Sequence, residues 1–373
     1  MKHLDVISPQ FLVGLWLIAG VVLVLAALTA VRRRGRWPLR LGTAVVALLV
    51  IGTAAAADTV NAHYAYLPTL GDVHDALTGD RQWVSFDRIH TISYKREMSF
   101  ATGGAVVRME QPRDPANDFG ATTTIAYLPP QYFGEPTRRF PVVYLLHGSP
   151  GRPQDWFHGG NAAHYGAELA RIGHPAILVA PQLSHSWTDD PECVDGKNER
   201  VESHFINVVI PTIDSQLRTI PQRTDRVFVG MSAGGYCALN LGLRHRDLVA
   251  TIVDLSGYTI PTHEDGAASL FGPNDPSTAR LVAANSPALY AVNLSSGPAC
   301  RIWLDTGTAD HTIERQMAAV APVLRNHGIE VTWRVRHGGH DYRVWNAALT
   351  EALPWALGAP PGHDKTNQSR PGP

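Results

Sequence analysis

The sequence predicts an α/β protein with a mostly parallel, doubly wound sheet. Antiparallel strands precede that sheet, and two transmembrane helices precede the strands. Three observations predict this. From residue 140 onward, apolar strand-like runs alternate with helical stretches, the pattern of a parallel sheet covered by helices on both faces. From residue 88 to 130 the pattern is β throughout, broken by glycine and proline turns. Before residue 58, two long apolar runs flank a cluster of arginines.

The apolar runs come first in the chain. Residues 11–31 are almost wholly apolar and match the ~20 residues a helix needs to cross a bilayer. Arg32, Arg33, Arg34, Arg36 and Arg40 follow. Residues 41–57 form a second apolar run, near the short end of the spanning range. Basic residues favour the cytoplasmic side, so the arginine loop is expected inside the cell and everything beyond Asp58 outside it. The arginines, the second run and the alanines at 54–57 also fit a signal peptide. Both readings place the large domain outside the cytoplasm. Residues 1–58 are thus expected to be a membrane anchor, with 59–84 a juxtamembrane linker. Residues 85–358 are expected to form one large domain. Residues 359–373 hold too little apolar sequence to fold and read as a disordered tail.

The β segments come next. HTISYKREMSF, AVVRMEQP and ATTTIAYLPP read as antiparallel strands. FPVVYLLHG is continuously apolar, as strands of a covered parallel sheet are. Helices are expected over 161–173, 202–218 (bent by Pro211), 233–246, 313–327 and 342–357, and strands over 175–181, 225–229, 248–255, 301–305 and 330–335. Residues 259–294 read as a less regular insertion.

Composition narrows the function. The 373 residues suit a single large α/β domain with appendages. A net charge of −1 gives no basic excess for nucleic acid. Cys193, Cys237 and Cys300 show no metal spacing, and neither metal nor cofactor is expected. Cys237 reads as a small buried hydrophobe. A Cys193–Cys300 disulfide is open outside the cell, with no support from the sequence. The acidic loop at 189–195 matches no cation-loop spacing and reads as solvated.

The chemistry concentrates in VFVGMSAGGYC, residues 227–237. An apolar strand stops at Ser232, with Gly230 and Gly234 two residues away on each side. A sharp strand-to-helix turn needs small neighbours, and it lifts the serine hydroxyl above the sheet. A glycine turn with an N-cap serine would look similar, so later residues must decide. A serine nucleophile needs a base and a group to orient that base, each following a later strand. RIWLD is followed by TGTAD, ending at Asp310, and VTWRV by RHGGHD, holding His340. Asp305 and His337 are the runners-up: Asp305 ends its strand, and His337 stays close to its own. The oxyanion donors are expected to be the amide of Ala233, next after the serine, and that of Ser149 in HGSPG.

YLPPQY, VVYLLHGSPG with Trp156 downstream, GMSAGGY, LDTGTAD and GGHDYRVW together resemble the putative esterase family, which includes the esterase D enzymes and the antigen 85 mycolyltransferases. The resemblance covers roughly residues 85–357. It implies an α/β-hydrolase fold, the triad Ser232, Asp310 and His340, and an oxyanion hole at Ser149 and Ala233. The expected protein is a membrane-anchored, outward-facing serine hydrolase. It would cleave carboxylic esters through an acyl-enzyme, on a membrane lipid or cell-envelope glycolipid. With an alcohol in place of water, the same groups make an acyltransferase. A non-catalytic hydrolase-fold binding module usually lacks a triad member or an elbow glycine, and this chain keeps all of them. The antigen 85 proteins carry an acidic residue at the position of His147 that helps bind trehalose, so trehalose recognition is not expected here.

Overall fold

The computed structural model describes residues 4–31, 37–78, 83–91, 103–186, 188–263, 266–273 and 275–359. The chain divides into two compact units, one of amino-terminal helices and one that begins at Trp83.

In the first unit, helices span Pro9–Val31, Trp37–Tyr64 and Leu70–Thr78. Among the described residues, one segment, Val45–Tyr64, is long and apolar enough to cross a membrane, and Pro9–Leu25 is a shorter apolar helix. Valine and leucine side chains such as Leu17, Val21, Leu49 and Val50 stand exposed on these helices. The second helix runs past Ala57 to Tyr64, so the expected linker begins as helix. Asn61 then closes the turn, accepting from the Leu67 amide at 2.7 Å and donating to the Leu67 carbonyl at 2.9 Å.

In the second unit, nine strands form one mixed sheet: β1 (Val84–Ser85), β2 (Ala105–Gln111), β3 (Thr122–Leu128), β4 (Val142–Leu146), β5 (Ile177–Ala180), β6 (Arg226–Met231), β7 (Thr251–Leu255), β8 (Arg301–Gly307) and β9 (Glu330–Arg336). Their spatial order is β1-β2-β3-β5-β4-β6-β7-β8-β9. β3 lies antiparallel to both β2 and β5, and β4 to β9 are mutually parallel. The predicted α/β architecture with its antiparallel beginning therefore forms. One expected strand differs. HTISYKREMSF opens as part of a 3-10 helix, Phe86–Thr91, and residues 92–100 lie outside the described set, as do residues 360–373 of the expected tail.

The central strands are buried end to end because helices cover both faces. Every residue of β4, β5, β6 and β7 is buried. Tyr144, Phe205 and Phe228 meet edge to face, with ring centroids 5.3–5.9 Å apart. Each such side chain contributes roughly 1.5–3 kcal/mol on burial. The helix expected over 202–218 forms with a widened turn. Phe205–Val209 is a π-helical turn, and the Ile210 amide donates to the Phe205 carbonyl five residues back. Pro211 explains this: it has no N–H for the residue 207 carbonyl, and its ring crowds that carbonyl.

The strand order has one consequence for the site. After β5 the chain crosses to the other side of β4 to build β6, and β4 pairs with β6 so that Leu146 faces Gly230. The loops leaving these two strands are therefore neighbours at the carboxyl edge of the sheet, where such folds bind ligands.

Candidate active site

Ser232 follows β6 directly and heads the helix Ala233–Arg244. Its backbone sits at φ 56°, ψ −125°, a region side chains rarely adopt. Three amides lock it there: its own donates to the Leu255 carbonyl at 2.9 Å, and those of Gly235 and Tyr236 donate to its carbonyl. The flanking glycines are steric requirements. A Cβ on Gly230 would overlap the Gly234 carbonyl, and one on Gly234 would overlap the Leu146 carbonyl of β4.

The structure brings the three residues picked from chain order into one line. His340 Nε2 lies 2.8 Å from Ser232 Oγ, and His340 Nδ1 lies 2.6 Å from Asp310 Oδ2. With the proton on Nδ1 given to Asp310, Nε2 offers a lone pair to the serine hydroxyl. The two loops are laced together. The Thr308 amide donates to the Arg336 carbonyl at 2.7 Å, and the Ala309 amide to the Gly338 carbonyl at 2.8 Å. A glycine at 338 fits φ +137°, and Gly307 leaves room for the Gly338 and Gly339 carbonyls.

The runners-up lie elsewhere. His337 is exposed. Asp305 is buried, accepts both carboxylate contacts from Arg336 Nε at 2.9 and 3.0 Å, and takes a third bond from Trp303 Nε1. Burial pushes its pKa up to about 6, against the pull of the Arg336 guanidinium. Two supporting groups were not picked from the sequence. The Trp345 ring stands edge-on to His340 with centroids 5.1 Å apart, and its Nε1 donates to Ser256 Oγ at 3.1 Å. Asp254 lies fully buried at the carboxyl end of β7, accepting from the Gly257 amide at 2.7 Å. A Cβ on Gly235 would strike it. Trp345 one turn into the last helix was a readable signal; Asp254 inside an apolar strand was not.

The expected oxyanion donors lie on the adjoining loops. Ala233 opens its helix, so its amide is among those a helix leaves without an internal partner. Gly148 packs on Ser232: a Cβ there would come 3.3 Å from Ser232 Cβ. Ser149 and Pro150 line a cavity of about 620 Å³ together with His185, Asp189, Asp190 and Glu199. Glu199 pairs with His185 at 3.1 Å, and burial lifts its pKa to about 7.

The cysteine expectation is corrected. Cys193 and Cys237 form the disulfide, with Cα atoms 5.5 Å apart, and Cys300 is free and buried. Cys300 directly precedes β8, at the amino end of the parallel strands, whereas Cys193 lies in the segment after β5 and Cys237 near the start of the helix that follows Ser232. The bond ties the loop that carries Asp189 and Asp190 to the helix behind Ser232.

The sheet order and the strained serine turn define an α/β hydrolase. Solved structures share this fold: a ferulic acid esterase (22% identical, TM-score 0.58, covering 69% of this chain and 98% of that one) and an S-formylglutathione hydrolase from Agrobacterium tumefaciens (16% identical, TM-score 0.58, covering 69% and 96%). Among sequence relatives, an uncharacterized protein of Corynebacterium glutamicum is 26% identical over 353 residues, 91% of this chain and 80% of that one. An acetyl esterase of Caldicellulosiruptor saccharolyticus is 25% identical over 261 residues, 63% of this chain and 92% of that one. The family model described as Putative esterase matches residues 119–356. The chain belongs to that family and is a carboxylic ester hydrolase.

Proposed function

We propose that Ser232, His340 and Asp310 are the catalytic triad and that the ester is cleaved through an acyl-enzyme. The observation that carries this is the unbroken line Asp310–His340–Ser232, at 2.6 and 2.8 Å. Ser232 Oγ attacks the acyl carbon as His340 Nε2 takes its proton. Asp310 holds the imidazole in the required tautomer and faces the positive charge that develops. The amides of Ser149 and Ala233 meet the oxyanion. His340 returns the proton to the departing alkoxide, and water then repeats the sequence on the acyl-enzyme. His340 keeps 35% of its side chain exposed, so an acceptor reaches it from solvent: water gives hydrolysis, and an alcohol would give transfer.

The amino-terminal helices are read as a membrane anchor with the arginine segment in the cytoplasm and the esterase unit outside. Support comes from the apolar Val45–Tyr64 helix. An anchored esterase meets esters in or near the membrane, on lipids or envelope glycolipids.

The test uses the full chain in detergent with p-nitrophenyl esters of increasing acyl length, beside Ser232→Ala. Turnover by the parent and a loss of about 10⁴-fold or more in the variant is the expected outcome. Equal rates would remove Ser232 as the nucleophile. For the orientation, protease added to intact spheroplasts should digest the esterase unit; digestion only after lysis would invert the topology.

A further inference from the structure

His147 has no place in the triad, yet it is buried beside it. It follows β4 and precedes Gly148, the residue packed on Ser232. Both ring nitrogens are engaged. The Leu183 amide donates to Nε2 at 3.2 Å, and Nδ1 lies 2.9 Å from the Gly148 carbonyl oxygen. An amide N–H can only donate, so Nε2 must present a lone pair. The proton of the neutral ring then sits on Nδ1 and is donated to the Gly148 carbonyl. Burial agrees, since it holds the ring below the usual histidine range and so in the neutral form.

The Gly148–Ser149 peptide is trans; the cis bond in this loop is the next one, Ser149–Pro150. In a trans peptide the C=O and the following N–H point in opposite directions within one plane. A hydrogen bond that fixes the Gly148 carbonyl therefore fixes the direction of the Ser149 N–H. The carbonyl is also closed in from another side, where a Cβ on Gly151 would strike it. We propose that His147 is a positioning residue for ester cleavage: as a neutral Nδ1–H donor it holds the Gly148–Ser149 peptide plane so that the Ser149 amide faces the oxyanion. Its second bond, to Leu183, ties the loop after β4 to the loop after β5. This inference rests on the triad and oxyanion reading given above.

The experiment follows two rates in the full chain in detergent. One is phosphonylation of Ser232 by an alkyl fluorophosphonate, read by mass spectrometry. The other is hydrolysis of p-nitrophenyl acetate, resolved into kcat and KM. His147→Asn keeps a side-chain N–H near the position of Nδ1, whereas His147→Gln and His147→Leu do not. Removal of one oxyanion donor costs about 10²–10³-fold, and a donor left present but misdirected should cost somewhat less. His147→Gln and His147→Leu should therefore lose about 10–10²-fold in kcat and in phosphonylation rate with KM nearly unchanged, and His147→Asn should stay close to the parent. Parent-like rates in all three variants would overturn the proposal. So would an equal loss in Asn and Gln, or a loss carried by KM, because each would mark His147 as mere packing. If His147→Leu does not fold, the Asn and Gln pair decides alone. A parent whose Ser232 resists the reagent sinks the triad reading and this inference with it. A parent that reacts, beside indifferent His147 variants, sinks this inference only.

Discussion

Two aspartates lie close together in the chain, one within β8 and one just past it, and they meet different partners. Asp310 reaches His340 from the loop, and Asp305 stays on the strand clasped by Arg336. Asp310→Asn should lower kcat by about 10³–10⁴-fold with the melting temperature little changed, because the amide favours the wrong imidazole tautomer. Asp305→Asn should do the reverse. It removes the buried carboxylate charge from the Arg336 guanidinium, which keeps Glu351 Oε1 at 2.8 Å, so the loss should fall below the roughly 3–5 kcal/mol of a buried charge left with no partner. Activity assays and thermal melts on the two variants check this, and a catalytic loss in Asp305→Asn with normal stability would reverse the roles. That Asp310 and not Asp305 meets His340 was legible because a residue past the strand end can reach across to the next loop, while one on the strand cannot.

At the scale of elements, the segment between β5 and the π-helical turn is held at several points. The Cys193–Cys237 disulfide binds it to the helix after Ser232, and Lys197 bonds to the insertion, its amide donating to the Leu270 carbonyl at 2.7 Å. The disulfide closes a sequence separation of 44, for which chain entropy gives about 4 kcal/mol. Cys193→Ala with Cys237→Ala should lower the guanidinium midpoint accordingly; an unmoved midpoint would show the bond to be thermodynamically idle. The sequence could not supply this pairing, because spacing says nothing of which cysteines share an end of the sheet. It did supply the strand–helix alternation, because buried parallel strands are unbroken apolar runs. It also supplied the order of Ser232, Asp310 and His340, because each follows such a run. It missed the 3-10 helix at Phe86–Thr91, where short β-like stretches do not distinguish the two forms.

At the scale of the whole molecule, stability should depend on pH in a definite sense. Burial pushes Asp254 up to about 8 and Glu192 up to about 8. A carboxyl whose folded pKa is raised favours the protonated folded state. Its contribution is full below the unfolded value near 4 and is lost as pH rises through the folded one. His147 and His204 are held low by burial and act oppositely, but only below their unfolded value of 6.5. Between pH 6.5 and 8 the carboxyls therefore act unopposed by these histidines. The melting temperature should fall across that window, with each carboxyl contributing at most about 1.4 kcal/mol per pH unit. Asp254→Asn should flatten the fall, and an identical profile in the variant would show that Asp254 ionises freely when folded.

The backbone of Ser232 has one more consequence. Glycine occupies φ 56°, ψ −125° without the penalty a side chain incurs there, and such penalties run to about 1–3 kcal/mol. Ser232→Gly should therefore give a dead enzyme that is harder to melt than the living one. The working protein would then be the less durable of the two, holding part of its folding free energy as tension in one peptide unit so that a single hydroxyl stands clear of the sheet.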